Sequence, residues 1–222
     1  MGKAAFFAAA LFLNIPIAAP AVDGVLSLPG ASRDPAAMEA QGREMMKQMI
    51  TAAEKGSLEA QKNLSFMFMT MTTASDEDIK ESGFATSLSD ALDKGVAWMH
   101  KAAEQGDMES QSKLGTLYMG NWKFGPHGEL TMKQDMPEAV KWFKLAAEQG
   151  DANAQSNLGS FYLTGVGVEK DLIPAYKWSY LASKKYPRIN QEAVARVAEQ
   201  MNASQIIEAE RLANEWLSTH KQ

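Results

Sequence analysis

The chain has no cysteine among its 222 residues. That excludes thiol nucleophiles, redox pairs, zinc–thiolate sites and disulfide staples, so the fold must be held by packing alone. Histidine is nearly as scarce, with His100, His127 and His220 the full set. Long runs of one charge are also missing. The net charge is −5 with acids and bases interspersed, which leaves no basic stripe of the kind that grips nucleic-acid phosphates. There is no G-x-S-x-G turn, and the glycine-rich stretch GVGVEKD (165–171) lacks the Lys-Ser/Thr that a phosphate loop needs. The carboxylates are spread over polar faces rather than paired on an apolar one for acid–base work. No enzyme activity, cofactor or metal site is expected.

Only one long apolar run is present, from Ala4 to Leu13, preceded by Lys3 and followed by Ala19-Pro20-Ala21. This is the three-part layout of a secretory signal peptide, with cleavage expected after Ala21. The run is too short for the ~20 apolar residues of a bilayer-spanning helix, and no later segment is apolar enough. The expectation is a signal peptide over 1–21, a flexible linker over 22–35, and a mature protein that is periplasmic or secreted.

The rest of the chain repeats itself. AAEQGDANAQSNLGSFY (146–162) is preceded by AAEQGDMESQSKLGTLY (102–118), identical at 11 of 17 positions, and by AAEKGSLEAQKNLSFMF (52–68), identical to the third copy at 8 of 17. In each copy a glycine (Gly56, Gly106, Gly150) closes a helix-forming run, as the residue that tolerates the left-handed conformation past a helix end. Ser57, Asp107 or Asp151 follows as the cap of the next helix. Each copy is therefore a helix–turn–helix hinge joining antiparallel neighbours. Ala154, Leu158 and Tyr162 form one apolar stripe on the helix after the hinge, and Ala60, Leu64 and Phe68 do so in the first copy. Gly115 and Gly159 interrupt helix interiors, where glycine costs ~1 kcal/mol against alanine, and they predict close helix approach; Ser65 takes this place in copy one.

A second helix follows in each unit. Asp171 restarts it after GVGVEKD, with Ala175 and Trp178 on its apolar side; Asp135, Ala139 and Trp142 hold the same offsets, with Pro137 in the first turn. Gly95 and Trp98 align in the first copy. The three tryptophans read as packing anchors. Ala146 and Ala182 set a period of 36, and the longer spacings of 44 and 50 contain insertions of 8 and 14 between the two helices of a unit. One helix pair per fixed period is the signature of an α-solenoid. Helices over 36–55, 190–200 and 203–219 are expected at the ends, with Asn202 and Gln205 forming a capping box.

AAEQGDANAQSNLGSFYLTGVGVEKDLIPAYKWSYLA resembles a Sel-one-like repeat (SLR), the shorter relative of the tetratricopeptide repeat. The likeness lies in the AEQGDAxAQxxLGxxY run, the GxGVxxD loop and the Ala-plus-Trp pair. It is fullest in the third unit and good in the second. The first unit lacks the leucine–glycine pair and the GxGV loop. The resemblance implies an all-α, right-handed αα superhelix of about three helix pairs with terminal capping helices. The units fall at about 52–101, 102–145 and 146–181 within a solenoid of 36–187, and capping helices follow over 188–222. It also implies a non-enzymatic scaffold or adaptor, often in bacterial envelope assembly, signalling or host contact. Some cysteine-rich secreted members are credited with β-lactam binding or hydrolysis, which this cysteine-free chain does not inherit. A secreted hydrolase of cell-wall or β-lactam type stands as the alternative function.

A protein or peptide partner, bound by a monomeric chain, is the expected ligand. Opposite the apolar stripe lie Asn153, Ser156 and Ser160, matched by Glu109, Ser112 and Thr116 and by Glu59, Lys62 and Phe66. By analogy with tetratricopeptide repeats this face lines the concave side, with solvated surface as the competing reading. Phe66 is the odd member, an aromatic where the other copies carry small polar groups. Trp122 and Phe124 in the second insertion, near His127, form either an aromatic recognition tip or a cover folded back on the helices. His100 and Glu104 could share a helix face as metal ligands, but the matching Lys144 and Glu148 read as an exposed pair. Met67, Met69 and Met71 suit Cu(I) in chemistry, yet alternate residues of a helix diverge, so core filling is the simpler account and copper binding a second alternative.

Overall fold

The computed structural model describes residues 35–70, 74–120, 122–124 and 130–220. The expected signal peptide, the linker up to residue 34, Met71 and His127 lie outside these residues. The described residues form ten helices and one short ribbon. They fall into two compact units: one runs up to Trp98 and takes in 124–130, and the other holds 99–123 and 131–222.

In the first unit, α1 (Pro35–Glu54) and α2 (Leu58–Thr70) make an antiparallel pair. The first insertion contributes a short helix, α3 (Asp76–Ser82), which sequence reading left as loop. Its origin is local: Ser75 caps it, accepting from the Asp78 N–H, and three acids sit in its first turn, where the helix dipole favours them. Helix α4 (Leu88–Glu104) begins in this unit and ends in the second. Leu64, Phe68, Ile79, Leu88 and Leu92 form the core, with Trp98 half-buried against it. Met67 is buried and Met69 packs onto the same cluster. A methyl group at Gly95 would come within 3.0 Å of the Met69 side chain. Both described thioethers are therefore spent on packing.

The second unit stacks α5 (Met108–Met119), α6 (Met136–Glu148), α7 (Ala152–Thr164) and α8 (Leu172–Lys185) in succession, then closes with α9 (Pro187–Ala198) and α10 (Ala203–Thr219) against α8. Each hinge has the same geometry. Gly56, Gly106 and Gly150 have φ of 94°, 95° and 94°. In each, the glycine N–H donates three residues back and the next N–H five back, as in Asp107 N–H to Ala102 C=O at 3.1 Å, the two bonds of a Schellman turn. The far ends match too. Asp135 N–H donates to Tyr118 C=O at 2.8 Å, and Asp171 N–H to Tyr162 C=O at 2.9 Å. The longer connection after Tyr118 is thus pinned at the same two points as the shorter one. Its extra residues include the ribbon, β1 (Trp122–Phe124) paired with β2 (Leu130–Met132), an addition to the all-α frame that sequence reading left as loop. The side chains of Trp122 and Phe124 lie outside the described residues.

The glycines inside the helices do what close packing requires. A Cβ on Gly115 would sit 2.8 Å from the Phe143 ring, and one on Gly159 would strike Ser179 Oγ and lie 3.1 Å from the Ser179 backbone nitrogen. Trp142 and Trp178 are both about 5% exposed. The expected cap on α10 is present, with Asn202 and Gln205 exchanging side-chain and backbone bonds at 3.0 Å.

Candidate functional site

The first helix of each repeat is α2, α5 or α7, and its face opposite the apolar stripe has the same exposure in all three. Glu59, Glu109 and Asn153 are exposed; Lys62, Ser112 and Ser156 are half-buried; Phe66, Thr116 and Ser160 are exposed. The middle position is half-covered for a reason visible in the second unit. Ser112 Oγ lies 3.1 Å from Asp151 Oδ1, so the residue projecting from α5 touches the cap of α7. The same carboxylate oxygen accepts from the Ala154 N–H at 2.7 Å. The two first helices are thereby joined side by side, with Glu109, Thr116, Asn153 and Ser160 facing outward. Glu109 is paired with Lys113 at 2.7 Å, an exposed contact of small energetic value. On α2, Phe66 is 57% exposed. A bare phenyl ring there costs solubility and contributes nothing to the core.

Beneath this face sits a set of residues to which sequence reading gave no role. Gln61, Gln111 and Gln155 are each about 3% exposed. Their amide groups donate to the carbonyls of Ala53 (3.0 Å), Ala103 (2.9 Å) and Ala147 (3.2 Å). Each glutamine reaches back across the hinge and gives a second donor to the carbonyl that already accepts the hinge glycine N–H. In the second unit Gln149 adds a link, donating to Gln111 Oε1 at 2.7 Å and to the Gly106 carbonyl at 3.0 Å. The signal was available: one polar residue recurs at a fixed offset within an apolar stripe.

The second helices carry a parallel arrangement of aromatics and cations. In one repeat Lys144 Nζ lies 5.5 Å from the Tyr162 ring centre. At the matching place in the repeat before, His100 Nε2 lies 3.1 Å from the Tyr118 hydroxyl, with the ring edge-on to both Tyr118 and Trp142. Burial pushes the His100 pKa below the ordinary imidazole value of 6.5, although Glu104 and Glu138 nearby pull it up and Lys141 adds to the depression. Burial likewise raises Tyr118, with Glu138 and Asp135 adding to it. The Trp142 indole N–H is buried with no acceptor among the described residues, a cost of ~1–3 kcal/mol by the usual penalty for such a group. His100 is engaged by Tyr118, and among the described residues no group of three or more His, Asp or Glu is placed to hold a metal ion. No described helix is long and apolar enough to cross a membrane.

Helix pairs of one design, joined by one hinge and stacked through recurring alanines, leucines and tryptophans, define an α-solenoid repeat protein. Residues 89–107, 109–151 and 152–186 match the Sel1 repeat family. Its members act generally through protein–protein interaction. A Sel1 repeat protein from Oxalobacter formigenes is 26% identical, with a TM-score of 0.48 over 71% of this chain and 98% of that one. A protective antigen of uropathogenic Escherichia coli displaying an SLR fold is 24% identical, with a TM-score of 0.50. The alignment covers 86% of this chain but only 43% of that antigen, a likeness of fold. No match was found among curated proteins.

Proposed function

We propose that this chain is an exported, non-enzymatic scaffold or adaptor of the bacterial envelope, which holds a polypeptide partner on the outward face of its first helices. The observation that carries this is the repeated exposure pattern, with polar groups at the same positions on α5 and α7 and a bare phenyl ring at the matching position of α2. A preformed helical frame loses little entropy on binding, so a few anchors can supply most of the affinity. Full burial of Phe66 alone is worth ~1.5–3 kcal/mol by the usual side-chain transfer value. In the second unit Ser112, Ser156, Thr116 and Ser160 offer hydroxyl donors and acceptors, with Glu109 and Asn153 for charge and amide recognition; in the first unit Glu59 and Lys62 share the helix face of Phe66. The Trp122–Phe124 ribbon is a second candidate surface. Export rests on the pattern of residues 1–21.

The test is capture from an envelope extract with the chain lacking residues 1–21, comparing wild type with Phe66→Ser and with the Thr116→Lys, Ser160→Lys pair. A specific partner retained by wild type and lost by either variant supports the reading; equal capture by all three removes this face. N-terminal sequencing of the protein from cells is expected to begin at Val22.

A further inference from the structure

A second surface, unrelated to the first-helix face, lies at the end of the repeats. A groove of about 400 Å³ runs between α8 and α9, lined by Tyr176, Tyr180 and Lys184 on one wall and Pro187, Gln191 and Val194 on the other. The Tyr176 and Tyr180 rings are nearly parallel, 12° apart in tilt with centres 6.1 Å apart. The Tyr176 hydroxyl is tethered below to Glu210 Oε1 at 3.2 Å, and Lys184 Nζ rides 4.3 Å above the Tyr180 ring centre. This wall is aromatic and pre-set, with Tyr176 buried in the core and Tyr180 half-buried.

Apart from Glu210, which the Tyr176 hydroxyl engages, the charge along α8 and α9 runs against the rest of the molecule. Between residues 172 and 198 stand Lys177, Lys184, Lys185, Arg188 and Arg196 against Glu192 alone, in a chain of net charge −5. Lys184, Lys185 and Arg188 are exposed. Five other cations, Arg43, Lys94, Lys113, Lys141 and Arg211, are each held by a carboxylate. The three cations at the α8–α9 corner have no such partner among the described residues. They remain available to an incoming anion, and the edge of Tyr180 with Pro187 and Val194 can take an apolar side chain beside it.

We propose that this groove docks an acidic segment of a partner protein, carboxylates meeting Lys184, Lys185 and Arg188 while an apolar residue lies against Tyr180, Pro187 and Val194. Charge complementarity identifies the occupant. A second copy of this chain fits poorly. The densest acidic run, Asp76–Glu81 on α3, has already committed two carboxylates: Asp76 Oδ1 accepts from the Leu88 N–H at 2.8 Å, and Asp78 Oδ2 from Ser75 Oγ at 2.6 Å.

The experiment uses the chain lacking residues 1–21 and a fluorescein-labelled peptide of alternating Glu and Asp around one central Phe, followed by anisotropy. Saturable binding is expected, weakening at least ~tenfold when salt rises from roughly 0.05 to 0.5 M and at least ~tenfold in the Lys184→Glu, Arg188→Glu double variant. Both side chains are exposed, and an unchanged circular dichroism spectrum confirms that the variant is folded. Phe66→Ser is expected to bind the peptide as wild type does, so failure here and failure of the first-helix face are read separately. Equal binding of the same peptide with every acid replaced by Lys, or undiminished binding by the double variant, overturns the proposal. So does salt-sensitive self-association in the ultracentrifuge that the double variant abolishes, because the occupant would then be a second copy.

Discussion

His100 Nε2 stands 3.1 Å from the Tyr118 hydroxyl and takes the place that Lys144 holds beside Tyr162 in the next repeat. One repeat thus carries a permanent cation against its tyrosine, and the other a group that is neutral at pH 7. Only a neutral imidazole can accept the phenol proton at Nε2.

A pH dependence follows from this contact. The folded pKa of His100 lies below its ordinary 6.5 because burial disfavours the charged ring. The unfolded chain therefore binds the proton first, and stability falls as pH drops from 6.5 through the folded value, then levels off. His100→Gln keeps a polar partner for Tyr118 and removes the titration. Thermal midpoints between roughly pH 7 and pH 5 are expected to decline less in the variant than in wild type. Parallel declines would remove His100 as the cause. Asp90 titrates in a separate window, since its lowered pKa contributes stability above the ordinary 3.8 that is lost only as pH falls through the lower folded value.

The buried glutamines give a prediction about stability. Gln111→Ala strips the Ala103 carbonyl of its side-chain donor and removes the acceptor used by Gln149. The Ala103 carbonyl keeps the Gly106 N–H and Gln149 keeps the Gly106 carbonyl, so the loss is that of two hydrogen bonds, each worth ~0.5–1.5 kcal/mol net. Urea denaturation is expected to show Gln111→Ala less stable by ~1–3 kcal/mol for the two bonds together, and by more than Gln155→Ala, whose amide donates to Ala147.

Gly159 offers a reversal of the usual rule. Gly→Ala inside a helix ordinarily stabilises by ~1 kcal/mol. Here the new methyl group meets Ser179 Oγ, the Ser179 backbone nitrogen and the Ala175 carbonyl, so Gly159→Ala is expected to destabilise by ~1–3 kcal/mol through overpacking. Gly115→Ala presses on the Phe143 ring instead of on backbone, and combining it with Phe143→Leu should recover part of the loss. The measurement is the shift in denaturation midpoint of the two singles and the double.

Much of this molecule could be read before any coordinates. Gly106 and Asp107 mark a hinge because only glycine enters the left-handed region cheaply and a carboxylate readily caps a helix, both being properties of the residue and its immediate neighbours. Gly159 was legible for a related reason: its entropic cost in a helix demands a compensating close approach. The α3 helix and the ribbon were not legible. Each lies in a non-repeating insertion, where there is no second copy to compare and the apolar periodicity is too short to register.

The sequence by itself determined the repeat: the period, the hinge, the caps and the apolar stripe all arise from contacts within one helix pair. Tertiary structure decided what those pairs present to the outside. Only stacking shows that Ser112 meets Asp151, that Gln111 reaches Ala103 and Gln149, and that Lys184 lines a groove with Tyr176 and Tyr180 and has no carboxylate partner among the described residues. Those relationships join residues far apart in the chain, and a local pattern carries no information about which distant side chain will arrive opposite it.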